Sequence, residues 1–431
     1  MAILERLNDL IWGFPLLVLL LGTHIYFTVK LHFPQRNLLY AIKLSLGKAD
    51  NQEQNLSPFS ALATTLAATL GTGNIIGVST AVALGGPGAI FWCWITGILG
   101  MATAYSECYL SVLFRSRRDD GSYVGGPMYV LKNGLHNNSL GSMYAACTLI
   151  AAFGVGCTTQ ANSVTQAASA SFGLSPHLVG IVLALITAAV ILGGVRSIAA
   201  LCERTVPAIS FVYLFGCVLL LILYRSVLPD TCLLILKNAL SFRSAAGGAA
   251  GAAVQHAVRY GIARGLFTNE AGIGTSAIAA AASHVKDPRI QAYVSMTAVF
   301  WDTVVMCLIT GLVIVANMLY DPASVAGIAE TGLTGAAFAH LPYVGDAFLT
   351  ISLAAFAVTT LIGWSYFGEK ATEYLMGKKG IPFYKLAYVV MIYLGAIIPM
   401  RLVWESTDLI NALMVLPNVL ALYYLQKHIR S

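Results

Sequence analysis

Leu66-Ala67-Ala68-Thr69-Leu70-Gly71-Thr72-Gly73-Asn74-Ile75-Ile76-Gly77 is apolar enough to sit inside a membrane span, yet it is poorly built to stay helical. Gly71, Gly73 and Gly77 each cost about 1 kcal/mol of helix propensity relative to alanine, and small polar residues stand between them. A second run of the same character, Gly265-Leu266-Phe267-Thr268-Asn269-Glu270-Ala271-Gly272-Ile273-Gly274-Thr275-Ser276, interrupts another apolar segment. Unwound backbone at membrane depth survives only where it lines a cavity inside the protein. Such a break ends one half-helix in free carbonyls suited to a cation. It starts the next with free N–H groups and a positive dipole end suited to a carboxylate. Helix packing is the plainer alternative, since Gly73 and Gly77 form a G-x-x-x-G. The pairing of two such runs favours a transporter site.

Composition places both runs in lipid. Of 431 residues, 58% are hydrophobic and 10% charged, where a soluble domain carries roughly 25% charged residues. In water that much apolar surface would leave contiguous patches. The net charge of +6 comes from basic residues scattered between apolar runs, so no nucleic-acid partner is expected. The eight cysteines contain no C-x-x-C and mostly lie in apolar segments, as small buried hydrophobes rather than a disulfide framework. Cys232 is the main loop candidate, and the histidines show no metal-binding spacing.

A membrane helix needs about 20 mostly apolar residues. That criterion gives spans at 11–31, 57–84, 87–114, 143–172, 177–194, 205–224, 247–283, 291–319, 345–367, 381–400 and 407–426. The first is read as a retained helix, not a cleaved signal peptide. The fold class is all-α, a polytopic membrane protein of about eleven helices. The broken runs fall in spans two and seven, as expected of inverted five-helix repeats. The expected organisation is an N-terminal helix and loop (1–56), a first repeat (57–224) and a second (225–431).

Loop charges then orient the chain. One set of connections carries Lys30, Arg36, Lys43, Lys48, Arg115, Arg117, Arg118 and Lys132, then Arg196, Arg204, Lys286 and Arg289. It continues with Lys370, Lys378, Lys379, Lys385, Lys427 and Arg430. The other set has only Arg6, Arg225, Lys237, Arg243 and Arg401, diluted by Asp230, Asp321 and Glu330. The positive-inside rule makes the richer side cytoplasmic, with the N-terminus outside and the C-terminus inside a plasma (inner) membrane.

Several motifs resemble those of the alanine/glycine:cation symporter family, a branch of the amino acid–polyamine–organocation superfamily. They are Gly71-Thr72-Gly73-Asn74-Ile75-Ile76-Gly77-Val78, Ala83-Leu84-Gly85-Gly86-Pro87-Gly88-Ala89-Ile90-Phe91-Trp92, Gly125-Gly126-Pro127-Met128-Tyr129 and Gln160-Ala161-Asn162-Ser163. Gly265-Leu266-Phe267-Thr268-Asn269-Glu270-Ala271-Gly272 and Gly363-Trp364-Ser365-Tyr366-Phe367-Gly368-Glu369 complete the set, in the family's order. The resemblance implies a leucine-transporter-like fold with one extra N-terminal helix, and sodium-driven import of a small neutral amino acid, alanine or glycine. Two departures stand out: Thr268 replaces the usual serine, and Cys157-Thr158-Thr159 precedes Gln160 where a Gly-Asn pair is common.

The resemblance also suggests a ligand set. Thr72, Gly73 and the Asn74 side chain would take the substrate carboxylate. Gln160 and the helix-seven backbone at Ile273, Gly274 and Thr275 would take the ammonium, and Trp364 would wall the pocket. Gln160 has an interhelical hydrogen bond as its plainer role, and Trp364 a place in an interfacial aromatic belt. Asn162 and Gln166 are second choices one turn apart. For sodium, the co-transported ion, the fold analogy points to carbonyls of Ala67, Leu70 and Phe356 and hydroxyls of Thr359 and Thr360. Adjacent threonines in a helix also commonly bond back to their own turn. Glu107, Arg259, Arg264, Glu270 and Asp302 are ionisable at membrane depth. Arg264 is read as bracing the break through Glu270 or Asp302, with gating or proton coupling as the sharper alternative.

Other functions fit less well. The chain has no filter-like loop of a channel, no H-E-x-x-H or other enzyme motif, and no phosphate-binding G-x-x-x-x-G-K-[ST] loop for ATP. Proton coupling and a larger amide substrate such as glutamine are the nearer alternatives.

Overall fold

In hydrocarbon every backbone polar group must find a partner within the protein, and helices satisfy this locally. A computed structural model describes residues 14–46, 56–240, 249–398 and 400–430. The expected beginnings of spans one (11–13) and seven (247 and 248), with Arg6, Lys48 and Arg243, lie outside the described residues, as does the side chain of Arg401. The first half of the chain contains α1 (Phe14–Lys30), α2 (Leu38–Ser45), α3 (Pro58–Thr69), α4 (Ile76–Gly85) and α5 (Ala89–Leu113). A two-stranded ribbon, β1 (Ser116–Arg117) and β2 (Tyr123–Val124), precedes α6 (Asn138–Phe153), α7 (Thr159–Phe172), α8 (Pro176–Ile191) and α9 (Gly194–Leu223). The second half contains α10 (Leu228–Leu240), α11 (Ala249–Asn269), α12 (Ser276–Ala281), α13 (Pro288–Val299), α14 (Leu308–Tyr320) and α15 (Leu333–Phe338). It ends with α16 (Gly345–Met376), α17 (Ile381–Ile397) and α18 (Met400–Leu425).

These helices reproduce the expected segments. Among the described residues, seven helices are long and apolar enough to cross a bilayer alone, and two bent pairs raise the number to nine. The remaining two expected spans are the short apolar α8 and the interrupted α11–α12 pair. Span two is α3 and α4, bent by 59° at the Leu70–Gly71 break. Spans four and eight stay continuous through π-helical turns at Gly154–Thr158 and Phe300–Cys307, a local widening often found at functional sites.

Two boundaries differ from expectation for one reason. The sixth span begins at Gly194, not 205, and the ninth runs to Met376, not 367. Hydropathy ends a span where charges start, but the helix continues because those charges have partners. Glu203 accepts the Ser60 hydroxyl. Lys370 lies 3.3 Å from both Glu369 and Glu373, Lys385 pairs with Glu369 at 3.1 Å, and Arg118 pairs with Glu373. In the same basic-rich region Lys378 meets Asp120 at 3.0 Å. The Ser122 hydroxyl and backbone N–H, with Lys378, hold the Asp120 carboxyl below the usual carboxylate range.

The inner end of α12 is closed by side chains from α5 and its loop. Arg115 donates to the carbonyls of Ala281, Ser283 and Val285 at 3.2, 2.6 and 2.7 Å, satisfying a helix end that would otherwise lack partners. Ser111 donates to Ala277 O and accepts from the Gly126 N–H, so the Gly125–Gly126 turn is wedged beneath the same helix. Leu56 N–H bonds to Ala282 O and His284 N–H to Leu56 O, tying the start of span two to the end of span seven.

Helix α16 approaches α3 through glycine: a β-carbon at Gly363 would stand 2.6 Å from the Ala68 nitrogen. The G-x-x-x-G reading of Gly73 and Gly77 does not hold as a packing pair, because a β-carbon at Gly77 would meet nothing within 4 Å. Replacing Gly363 by valine is expected to force α16 from α3 and destabilise the protein by about 1–3 kcal/mol. Gly77→Ala should be neutral or slightly stabilising. Thermal unfolding of the two purified variants checks this, and equal losses would refute it.

Candidate substrate and cation site

The break in span two is built by its own sequence. Helix α3 ends at Thr69, Leu70 turns extended, and a short turn at Thr72–Asn74 leads into α4. Asn74 ties this turn in both directions. Its Oδ1 accepts from the Gly71 N–H at 3.0 Å, while its Nδ2 donates to Asp302 Oδ1 at 2.7 Å and Asp302 O at 3.2 Å. Asp302 also accepts from Thr303 Oγ1 at 2.7 Å. The side chain expected to take a substrate carboxylate therefore holds the turn.

The glycines let four elements converge. A β-carbon at Gly71 would lie 2.7 Å from Thr360 Oγ1 and 3.2 Å from Gln160 Oε1. At Gly73 it would lie 2.8 Å from the Thr268 methyl and 3.5 Å from the Phe267 ring. Span two thus breaks against spans four, seven and nine at once. Gln160 makes the interhelical bond considered above, accepting the Thr72 N–H at 3.2 Å and donating to Val155 O at 3.2 Å.

The break in span seven passes through left-handed backbone. Glu270 has φ 56°, and Gly272 and Gly274 have φ 94° and 90°; the left-handed region costs a non-glycine residue about 1–2 kcal/mol. Tertiary partners hold this shape. Glu107 Oε1 accepts the Gly272 N–H at 2.8 Å and Asn418 Nδ2 at 2.6 Å, and Asn418 Nδ2 donates to Gly272 O at 2.9 Å. Tyr144 donates to Ile273 O at 2.7 Å. Trp364 Nε1 donates to Glu270 Oε1 at 3.1 Å, while Thr275 Oγ1 donates to Glu270 Oε2.

Sequence reasoning drew Arg264 as the brace, through Glu270 or Asp302. The hydrogen bonds of those carboxylates go instead to Thr275 and Trp364, and to Asn74 and Thr303, while Arg264 stacks over Phe267 at 5.8 Å. Glu107 and Asp302 were flagged by depth alone. Asn418 and Tyr144 carried no signal, because one amide or phenol in an apolar helix does not reveal its target. Asn162 and Gln166 do share a face, at 3.2 Å, but Asn162 reaches Gly395 O and Ile398 O in span ten. Trp364 is buried at 1% exposure, which removes the interfacial-belt reading.

Leu70, Phe356, Thr359 and Thr360 come together. Thr360 Oγ1 lies 3.1 Å from Leu70 O and 3.0 Å from Phe356 O, and Thr359 Oγ1 lies 2.8 Å from Phe356 O. Both threonines therefore bond back to their own turn, and Thr360 also bridges to the carbonyl end of α3. Ala67 is buried on that last turn, where Gly363 brings α16 against Ala68. Uncharged hard oxygens converging on a helix end suit a monovalent cation. Beyond the break, a crevice of about 280 Å³ lies beside Ile75 and Ile76, with Ser163, Thr334 and Leu353 on its walls. It opens away from the Lys/Arg-rich loops.

The chain matches the sodium:alanine symporter family over residues 1–431. It is 42% identical over 431 residues to the sodium/alanine symporter AgcS of Methanococcus maripaludis, covering 98% of this chain and 94% of that one. It is 36% identical over 423 residues to the probable sodium/glutamine symporter GlnT of Bacillus subtilis, covering 97% and 87%. Among solved structures, the substrate-bound outward-open state of a Na⁺-coupled sialic acid symporter superposes with a TM-score of 0.60 at 13% identity, over 96% of this chain and 86% of that one.

The Gly272 clamp makes a separable prediction. Glu107→Ala and Asn418→Ala should each destabilise the solubilised protein by roughly 1 kcal/mol. Because they hold the N–H and the carbonyl of one residue and bond to each other, the double variant should lose about 1 kcal/mol less than the sum. Additive losses in thermal unfolding would mean that the two side chains act independently.

Proposed function

The chain belongs to the sodium:alanine symporter family, and on that premise we propose that it imports a small neutral amino acid, alanine or glycine, together with sodium. The observation that carries this reading is the meeting of two broken spans. The carbonyl end of α3 at Leu70 faces Thr360 of α16, and the turn at Thr72–Gly73 faces Thr268 and Gln160. A zwitterion fits there because it brings both charges with it. Its carboxylate would lie at the N–H groups of Thr72 and Gly73, on the positive end of α4. Its ammonium would be received by Gln160 Oε1, once this oxygen gives up the Thr72 N–H that it accepts in the structure, and by the carbonyls around Ile273 and Gly274. The ion would sit among the carbonyls of Ala67, Leu70 and Phe356 and the hydroxyls of Thr359 and Thr360.

Coupling follows from where the two ligands touch. The cation joins the first half of span two to span nine, and the amino acid joins the turn of the same span to spans four and seven. Each ligand steadies the break that the other needs, so binding of one raises the affinity of the other. Thermodynamic reciprocity makes the two factors equal. Alternating access then requires only that the doubly loaded site bind one arrangement of the spans better than the other.

The similarity to a probable sodium/glutamine symporter raises a larger amide as the second reading. Trp364 argues for the smaller ligand, because its ring is fixed by Glu270 on one side and backed by Gly156 on the other. In proteoliposomes under an inward sodium gradient, alanine and glycine should each displace labelled alanine, while glutamine should compete at least tenfold more weakly. Equal competition by glutamine would favour the second reading, and uptake unchanged when choline replaces sodium would end both.

Thr360→Ala should raise the sodium concentration for half-maximal uptake about tenfold, equivalent to roughly 1.4 kcal/mol, with a smaller effect on saturated uptake. Asn74→Ala should abolish uptake, because the Gly71 turn and Asp302 both lose their partner. A sodium titration of Thr360→Ala matching the parent protein would remove that residue from the cation set.

A further inference from the structure

The connection between spans eight and nine, with α15 at its centre, forms one wall of the crevice beside Ile75 through Thr331, Gly332, Thr334 and Gly335. At its start this wall is fastened to α4. Thr334 Oγ1 donates to Ile75 O at 3.0 Å, the Leu333 N–H donates to Ser79 Oγ at 3.0 Å, and Ser79 Oγ donates to Glu330 O at 2.7 Å. Ile75 directly follows Asn74, so α15 is tied to the residue next to the broken turn. At its other end α15 is tied to α14. The Tyr224 hydroxyl lies 3.1 Å from Asn317 Oδ1 and 3.0 Å from Ala337 O. His340, just past α15, places Nδ1 3.3 Å from Ala336 O and Nε2 3.3 Å from Asp321 Oδ2 at the end of α14.

Both oxygens that face the His340 ring are acceptors. A neutral imidazole has one N–H, so it satisfies one of them and turns a lone pair towards the other; an imidazolium has two and satisfies both. Asp321 is held in place as well, because its Oδ1 accepts the Ser324 N–H at 3.3 Å. Among the described residues, the titratable and charged groups facing the ring are Asp321 and the phenols of Tyr320 and Tyr224, whose rings stand edge-on at 5.9 Å. Histidine ordinarily changes charge between pH 5 and 8. We propose that His340 is a pH-sensitive latch: its protonated ring fastens α15 to Asp321 and holds the crevice wall as it stands, and loss of the proton frees that wall to move. The His340 and Asp321 side chains are 22% and 40% exposed, so the latch has the modest strength of a partly exposed ion pair. Its effect on transport rests on the reading of the Thr72–Gly73 turn as the amino-acid site, which the crevice approaches at Ile75 and Ser163.

The test follows a thiol placed in the crevice wall. Gly335→Cys has room, since a β-carbon there would meet only Leu349 at 4.0 Å, and Cys232→Ser removes the exposed native thiol. The full chain in lipid nanodiscs is treated with an uncharged, polar maleimide at pH 6 and at pH 8. Each rate is divided by that of Cys232 in the parent chain, which carries the ordinary dependence on thiolate. The relative rate should rise about two- to fivefold from pH 6 to pH 8. With His340→Gln or Asp321→Asn added, it should be the same at both. A relative rate that does not change with pH in the presence of His340, or a rise that survives both substitutions, overturns the latch. Uptake of labelled alanine at saturating sodium should be about twofold faster at pH 8 than at pH 6, and His340→Gln should bring that ratio close to one. The same ratio in both proteins overturns the link to transport. Thiol labelling needs neither substrate nor gradient, so failure of the latch remains distinct from failure of sodium-coupled uptake.

Discussion

A peptide group released from a helix inside hydrocarbon costs several kcal/mol unless another part of the protein satisfies it. Two spans of this chain release such groups, and much of the surrounding architecture answers that demand. Asn74 closes the first turn on itself and on Asp302. Glu107 and Asn418 hold the N–H and the carbonyl of Gly272, and Tyr144 takes the next carbonyl. Trp364 and Thr275 fix the carboxylate of Glu270, whose own backbone is left-handed. Spans three, four, eight, nine and eleven thus each contribute a polar side chain to keep two short stretches unwound.

This arrangement separates holding from binding. Side chains mainly hold the main chain in place, and in the reading proposed above the main chain with a few neutral side chains faces the ligands. The buried carboxylates of Glu107, Glu270 and Asp302 are each engaged by side chains or N–H groups at the breaks. Glycine makes the separation possible at Gly71 and Gly73, where Thr360, Gln160 and Thr268 occupy the space a β-carbon would need. At Gly77 the adjoining space is open, so that glycine does not serve close helix packing.

The features legible in the sequence were those that act locally. Propensity marked both breaks, hydropathy marked the spans, and the threonine pair beside Phe356 emerged through the expected correspondence between spans two and nine. Partner choice was less legible. Arg264 was a reasonable guess for Glu270 and Asp302 from proximity along the chain, yet tryptophan, threonine and asparagine from distant segments supply their hydrogen bonds. Helix ends were misjudged where ion pairs extend α16 and where polar residues continue into α9, because hydropathy counts a charge without seeing what neutralises it.

By itself, then, the amino-acid order determined a bilayer-embedded helical chain, the two positions where winding fails, and the kind of main-chain groups exposed there. Those follow from short-range quantities: helix propensity, transfer cost and the spacing of glycine. Only the tertiary structure decided which partners those groups take, since Asn74 was drawn into the scaffold and Trp364 into the interior. A hydrogen bond depends on angle and separation in space, and residues hundreds of positions apart acquire both only when the spans have packed.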